Sequence, residues 1–374
     1  MIASRRCRKP SFSQLLQLLP LTTIAVLCFA ASLPAQTHGF TTINAPDAGT
    51  SFNQGTTATI INQSGAIAGF YADDKYAYHG FVRSAQGVIT EFDAPGLTNT
   101  QVFGMNNSGQ IVGYGLHQFS GRGEYLGFLR APNGSISGFS APGALATMPA
   151  AINDSGEIAG TYYTVADVYH GFIALNRGGA FTYTVFDEPN ATHQPGFGTH
   201  ANGINAQGVV IGYYEDATVG AIHGFTRDRS GNFASFDAPG AGTGQGYGTI
   251  PFAINLNGEI VGYYSDSNLG LHGFYRDALG NITDFDPPGS TTQTFAYSIN
   301  DKGDVVGYWA DSHQVYHGFL RDPSGSITTF SAPVKNNATL LLNINNARQM
   351  TGFYYDLNGA LHGFLWQSSL GSSQ

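Results

Sequence analysis

Across 374 residues the chain carries 50 glycines, 26 phenylalanines and 20 tyrosines, with only 11% charged residues and a net charge of −9. Such a composition excludes a disordered polar tract, which is poor in aromatic and β-branched residues. Without the first 35 residues, which hold Arg5, Arg6, Arg8 and Lys9 and no carboxylate, 12 Lys and Arg face 25 Asp and Glu, a balance of −13. Nucleic acid and anionic membrane surfaces are poor partners for that charge.

The first element reads as a secretion signal over residues 1–35: a basic start, an apolar stretch from about Leu15 to Ala31, and small residues leading to a cut near Ala35. Leu27 before Cys28 speaks against lipid anchoring, and Arg8 and Lys9 speak against twin-arginine export. Both cysteines, Cys7 and Cys28, lie inside the signal, so the mature chain forms no disulfide and no thiolate metal site. No later apolar run approaches the roughly 20 residues of a membrane-spanning helix. The expectation is one domain, 36–374, in a secreted, extracellular or periplasmic product.

The mature chain opens with "GFTTINAPDAG" (39–49), a lone strand ending in a proline exit. Seven copies of one unit follow, marked by Asn62, Asn106, Asn153, Asn205, Asn255, Asn300 and Asn345 at spacings of 44, 47, 52, 50, 45 and 45 residues. Each copy reads as four short strands: A ends in "IN", B is of the "EIVGYY" kind, C of the "HGFYRD" kind, and D ends in "FDAPG" or a close variant. Short segments rich in β-branched and aromatic residues, bounded by turn residues and without apolar 3.6-residue periodicity, make these strands. In Asn255-Leu256-Asn257-Gly258 an Asn caps its own backbone and Gly takes the left-handed position, so A–B is a hairpin; "RDPSG" around Pro323 makes C–D another. The last copy has Arg348 in place of that Gly, and its turn is expected to be looser. Proline ends strand D because it cannot donate to a ladder.

The seventh copy stops after strand C, "LHGFLWQ", while the opening strand resembles a D without its A, B and C. One orphan strand and one vacancy predict an all-β, seven-bladed β-propeller of four-stranded blades whose N-terminal strand completes the last blade. A β-solenoid is the alternative.

The pattern resembles a family of bacterial extracellular repeats called HAF repeats, which pair an "N-x-x-G-x-V-V-G" hairpin with a later "HAF" triplet. Asn300, Gly303, Val305, Val306 and Gly307, then His317, Gly318 and Phe319, carry the resemblance, with Gly replacing Ala in every triplet. It covers essentially the whole mature chain. It implies a secreted protein of propeller-like repeats and no defined activity.

His79, His170, His223, His272, His317 and His362 open the triplets, and Asp73, Asp216, Asp266, Asp311 and Asp356 follow the strand B glycine by four residues. As metal ligands or acid–base pairs they would have to converge, whereas rotation about a propeller axis sets them far apart. Blade fasteners are the expected role, and the aromatics Tyr71, Tyr162, Tyr214, Tyr264, Trp309 and Tyr354 are expected to pack between blades. No cofactor or metal is implied.

Function is expected where copies differ, on the face bearing the D–A crossings and B–C loops. That face, where segments 114–125, 161–169 and 190–200 are read as loops, supplies His117, Arg122, Glu124, Asp167, Glu188, His193 and His200 as candidate binding residues. No nucleophile elbow, zinc-protease signature or phosphate loop is present. A non-enzymatic binder of an extracellular protein or polysaccharide, expected as a monomer, is the first reading. The alternatives are a carbohydrate-active or lyase-type enzyme with unrepeated carboxylates at the channel mouth, and a matrix component without a discrete ligand.

Overall fold

The computed structural model describes residues 39–119, 122–291, 293–334 and 338–367; the signal expected over residues 1–35 lies outside these. Every described element is a strand. Blade 5 shows the unit: strand A Gly248–Ile254, B Ile260–Ser265, C Leu271–Arg276 and D Ile282–Phe285, paired antiparallel in order. Blade 7 contributes Thr339–Ile344, Gln349–Tyr355 and Leu361–Gln367, and its fourth strand is Phe40–Ile43, with Phe40 opposite Trp366 and Ile43 opposite Gly363. The ring is closed with seven four-stranded blades, as the orphan strand required.

A strands lie innermost and contact one another around the ring. Each carries a bulge at the same place, where one residue lacks a partner, as between Ala58 and Ile60 or Pro251 and Ala253. The extra residue bends the strand.

Between blades lie the cores. The Phe of each triplet, from Phe81 to Phe319, is fully buried and Phe364 is nearly so; it packs against the preceding blade's D strand, as Phe274 does on Phe236 with ring centroids 6.2 Å apart. Two glycines make room. A Cβ on Gly262 would strike the Ile250 carbonyl and the Phe274 ring, and one on Gly273 the Phe285 ring.

Polar staples recur beside these cores. In every blade the initial Asn bonds its own turn, Oδ1 accepting from the backbone as in Glu259 N to Asn255 at 2.9 Å. Its Nδ2 donates to the carbonyl of the next blade's Asn: Asn62 to Asn106, and so on to Asn345, which returns to Asn62 at 3.1 Å. Seven buried bonds make an unbroken circle. A threonine opening strand A accepts the exit-loop N–H after strand D, as Thr249 does from Ala238 at 2.9 Å. Pro287 has no N–H to offer, and there Thr294 donates to Asp286 instead.

The turn at Arg348 is not looser, contrary to expectation. Arg348 holds φ 55°, its N–H reaches the Asn345 carbonyl at 3.0 Å as glycine does elsewhere, and its guanidinium forms a two-point pair with Asp304 of blade 6, which is fully buried. The ion pair offsets the cost of a left-handed arginine.

Candidate functional site

Antiparallel order puts A–B and C–D hairpins on one face of the ring, the hairpin face, and B–C turns and D–A crossings on the other, the crossover face. On the rim of the crossover face the triplet histidine is the hub of a repeated cluster. Its Nδ1 bonds the residue that ends strand D: Asp93 for His79 (2.9 Å), Asp187 for His170 (2.8 Å), Asp237 for His223, Asp286 for His272 (2.7 Å), Ser331 for His317 and Asn44 for His362. Its Nε2 faces the aspartate ending strand B, from 3.2 Å at His317–Asp311 to 3.8 Å at His272–Asp266. Its ring lies on the strand B aromatic, with centroids 5.1 Å apart at Tyr71–His79 and 4.9 Å at Trp309–His317.

These clusters fasten B, C and D strands within one blade. The tyrosine faces are covered by histidine and nearly buried, Tyr71 at 4% exposure, so they cannot stack on a sugar. The aspartates are capped like turn residues: Asp266 Oδ1 accepts the N–H groups of Asn268 and Gly270. Burial opposes ionisation of Asp216, but the Val219 and Gly220 N–H groups, His223 and Thr218 outweigh it and hold the carboxyl well below its usual range. For His223 burial opposes charge, and Asp237 and Asp216 more than restore it, raising the imidazole above 6.5. Tyr264 is pushed up to about 12 by burial and by Asp284 and Asp286. Among the described residues no group of three or more His, Asp or Glu is arranged to hold a metal ion.

The strand D partners Asp93, Asp187, Asp237 and Asp286 were missed from sequence. The signal was present, since the "FD" of "FDAPG" stands 14 residues after the histidine in several copies and 17 in blade 3. Also missed was the strand C arginine: Arg130, Arg227, Arg276 and Arg321 lie over Phe92, Phe186, Phe236 and Phe285 of the preceding blade at 4.8–5.2 Å. In blade 7 Trp366 takes that place, 3.7 Å from Phe330.

Two openings mark the crossover face. A cleft of about 670 Å³ at blade 1 is lined by Tyr71, His79, Phe92 and the carboxylates Asp47, Asp73, Asp74, Glu91 and Asp93. A smaller one of about 190 Å³ at blade 4 is lined by Thr192, Gln194, Phe197 and the turn from Asp216 to Gly220.

The candidate residues divide. Segment 114–125 is not a loop: strands Ile111–Phe119 and Arg122–Arg130 extend into it, pairing His117 with Glu124. The longer hairpin lifts blade 2 above the rim; the Arg122 side chain lies outside the described part. Segment 161–169 is a loop only between Tyr163 and Tyr169, and there Asp167, exposed and at φ 61°, accepts the Gly196 N–H on its carbonyl. That contact ties the turn to segment 190–200. Exposed His193 sits near the rim histidine His170, centroids 6.4 Å apart. His200 belongs to strand A of blade 4, Thr199–Ile204, sandwiched by Tyr213 (4.4 Å) and Tyr169 (4.6 Å), its Nε2 3.5 Å from Glu215. Glu215 is 4% exposed and unrepeated, yet escaped notice beside the repeated Asp216.

Glu188 is 3% exposed, and its carboxylate accepts Asn190 N–H at 2.6 Å and Ser235 Oγ–H of the next blade at 3.0 Å, bonds that join the blade 3 exit to blade 4. Among the described residues no hydrogen bond or ion pair joins Glu124, Asp167 and Glu188, which belong to blade 2, blade 3 and the blade 3–4 crossing.

No family model and no curated protein matches the chain. Solved structures do. Virginiamycin B lyase from Staphylococcus aureus is 12% identical over 88% of this chain and 100% of its own, with a TM-score of 0.55. A second streptogramin B lyase structure covers 87% and 97% at the same identity and score. A lectin from Burkholderia pseudomallei is 11% identical over 86% and 95%, with a TM-score of 0.53. At such identities the likeness is one of fold, the β-propeller, which hosts unrelated activities.

Proposed function

We propose that the protein is a secreted, non-enzymatic repeat propeller that captures an extracellular polysaccharide or protein on its crossover face. One observation carries this: most of the departures from the repeat lie on that face. The lengthened blade 2 hairpin and the long 190–198 crossing are there, whereas the hairpin face, where blade 3 has the longer C–D hairpin, is held by a sevenfold circle of asparagine bonds. Rigid scaffold below and variable segments above is how repeat proteins separate stability from recognition. The signal and the HAF-like repeat support secretion, and the lectin among the similar structures supports the polysaccharide form.

An array of polysaccharides and extracellular proteins probed with the mature chain tests the reading. Alanine at His117, Glu124, Asp167 and His193 together should weaken the captured partner by about tenfold or more, as loss of central contacts does. Undiminished binding by that variant would contradict it.

A lyase-type reading rests on a single arrangement, the unrepeated His200–Glu215 pair between Tyr169 and Tyr213. Proton abstraction needs a base within reach of a substrate, and His200 is covered on both ring faces. Incubation with polysaccharide pools should therefore give no unsaturated product; product formation abolished by His200→Gln would favour the enzyme instead.

A further inference from the structure

Charge is segregated between the two faces. Of the 25 Asp and Glu, eight lie at the hairpin-face ends of strands: Asp154, Glu157 and Asp228 in blades 3 and 4, and Glu259, Asp277, Asp301, Asp304 and Asp322 in blades 5 and 6. The other 17 (25 − 8) lie on the crossover half. Cations are distributed the opposite way. Six arginines end or nearly end strand C, from Arg83 to Arg321, and Arg229, Lys302 and Arg348 sit in hairpins, making nine on the hairpin face. Among the described residues only Lys75 and Arg122 stand on the crossover half. Among the described residues the hairpin face therefore carries 9 − 8 = +1 and the crossover half 2 − 17 = −15; Lys335, outside them, accounts for the difference from −13.

The same face carries exposed apolar side chains. Of ten large apolar residues with high exposure among those described, six are in its turns and crossings, Phe52 (45%), Tyr76 (54%), Val165 (85%), Val219 (54%), Leu269 (71%) and Leu357 (82%), and Val185 lies near the crossover end of its strand D. Five stand in B–C turns, in every blade except 2 and 6, and Phe52 lies in the crossing that packs on the blade 7 turn, where Asn53 N–H reaches the Gly359 carbonyl. Scattered apolar residues need no explanation. A corona on the face that also holds the chain's net charge does.

We propose that the captured partner is a cationic polypeptide surface bearing Lys or Arg among apolar side chains, seated across the B–C turns. The inference rests on the capture reading above and names its partner. Opposed charge steers encounter and rejects acidic partners, nucleic acid and anionic polysaccharide included. The choice of polypeptide over polysaccharide follows from the projecting groups: Val165, Val219, Leu269 and Leu357 are aliphatic and fit apolar side chains, whereas the rim tyrosines that a sugar would need are covered by histidine.

Fluorescence anisotropy with an amphipathic Lys/Leu peptide, its Glu/Leu counterpart, a chitosan oligomer and a neutral glucan oligomer tests it. The Lys/Leu peptide should bind, more weakly at higher salt, and the Glu/Leu peptide should not. Asp47→Asn/Asp74→Asn/Glu91→Gln/Asp284→Asn should weaken binding about tenfold, Leu269→Ser/Leu357→Ser about fivefold, and the hairpin-face control Asp154→Asn/Asp277→Asn less than twofold. No Lys/Leu binding, or equal losses from the two faces, overturns the inference. Tight chitosan binding untouched by Leu269→Ser/Leu357→Ser overturns the choice of polypeptide. Glucan binding lost with the crossover-face variants overturns the charge argument while leaving the capture reading intact.

Discussion

A buried asparagine does two jobs in each blade, and only one was legible. The turn role of Asn255 follows from spacing to Gly258. The bond from its Nδ2 to Asn300 needs the neighbouring blade and has no local trace. Alanine at Asn300 removes one of the two bonds to the Asn345 carbonyl, which keeps the Arg348 N–H, and leaves the Lys302 and Asp304 N–H groups of its own turn without their acceptor; it should cost about 2 kcal/mol, within the range for orphaned buried groups, read from chemical denaturation. Arg348 is the converse: breaking the repeat's rule signalled a weak turn, but its partner Asp304 lies 44 residues away. Arg348→Gly relieves a left-handed backbone yet strands a buried carboxylate, so it should destabilise by about 3 kcal/mol; a stability equal to or above the parent would show that the pair contributes nothing. His223 gives a pH test. Its folded pKa lies above 6.5, so its contribution is complete below 6.5 and lost as pH rises through the folded value; that of Asp216 is present above 3.8 and lost on further acidification. The melting-temperature gap between the parent and His223→Asn should be widest between these limits, near pH 5.5, and shrink by pH 8.5. A gap independent of pH would mean the histidine acts by packing alone.

At the scale of elements, strand identities and ring closure were legible because each blade repeats short β-branched and aromatic segments between turn residues, and because seven copies average out any one irregular unit. Where averaging fails, so did the reading. The blade 2 segment departs from the repeat and looked like a loop, but a longer hairpin departs equally, and sequence difference alone does not separate them. Glu188 shows a related gap: a carboxylate in place of a small exit-loop residue was legible, whereas its burial and its bond to Ser235 of the next blade were not. Closure itself is testable. Deleting residues 39–43 removes the strand paired to Leu361–Gln367 and exposes an apolar edge, a template for pairing with another chain. The truncated protein should melt at least about 10 °C lower or self-associate, by calorimetry and sedimentation; an equally stable monomer would mean that closure relies on the asparagine circle alone.

Over the whole molecule, one repeat builds two faces of different character. Hairpins need glycine or a paired arginine in the left-handed position, and arginines lie over the phenylalanines of the preceding blade, so the hairpin face is fixed by packing and near neutral. B–C turns tolerate Tyr76, Leu269 and Gln314 at positive φ, at a cost of order 1 kcal/mol each, and glycine returns where a neighbouring crossing crowds the tip, as Phe52 does at Gly359. The fold could thus be read from the repeat, while the charge asymmetry required knowing which strand end each residue occupies. Residues 36–374 contain no cysteine, which allows a direct test of one-faced recognition. A single cysteine is placed at Leu269 or at Leu279, exposed residues of opposite faces, a bulky polymer is attached to each, and capture of the partner is measured. The account predicts that the polymer at 269 abolishes capture and the polymer at 279 leaves it unchanged; blocking from 279, or equally from both, would contradict it.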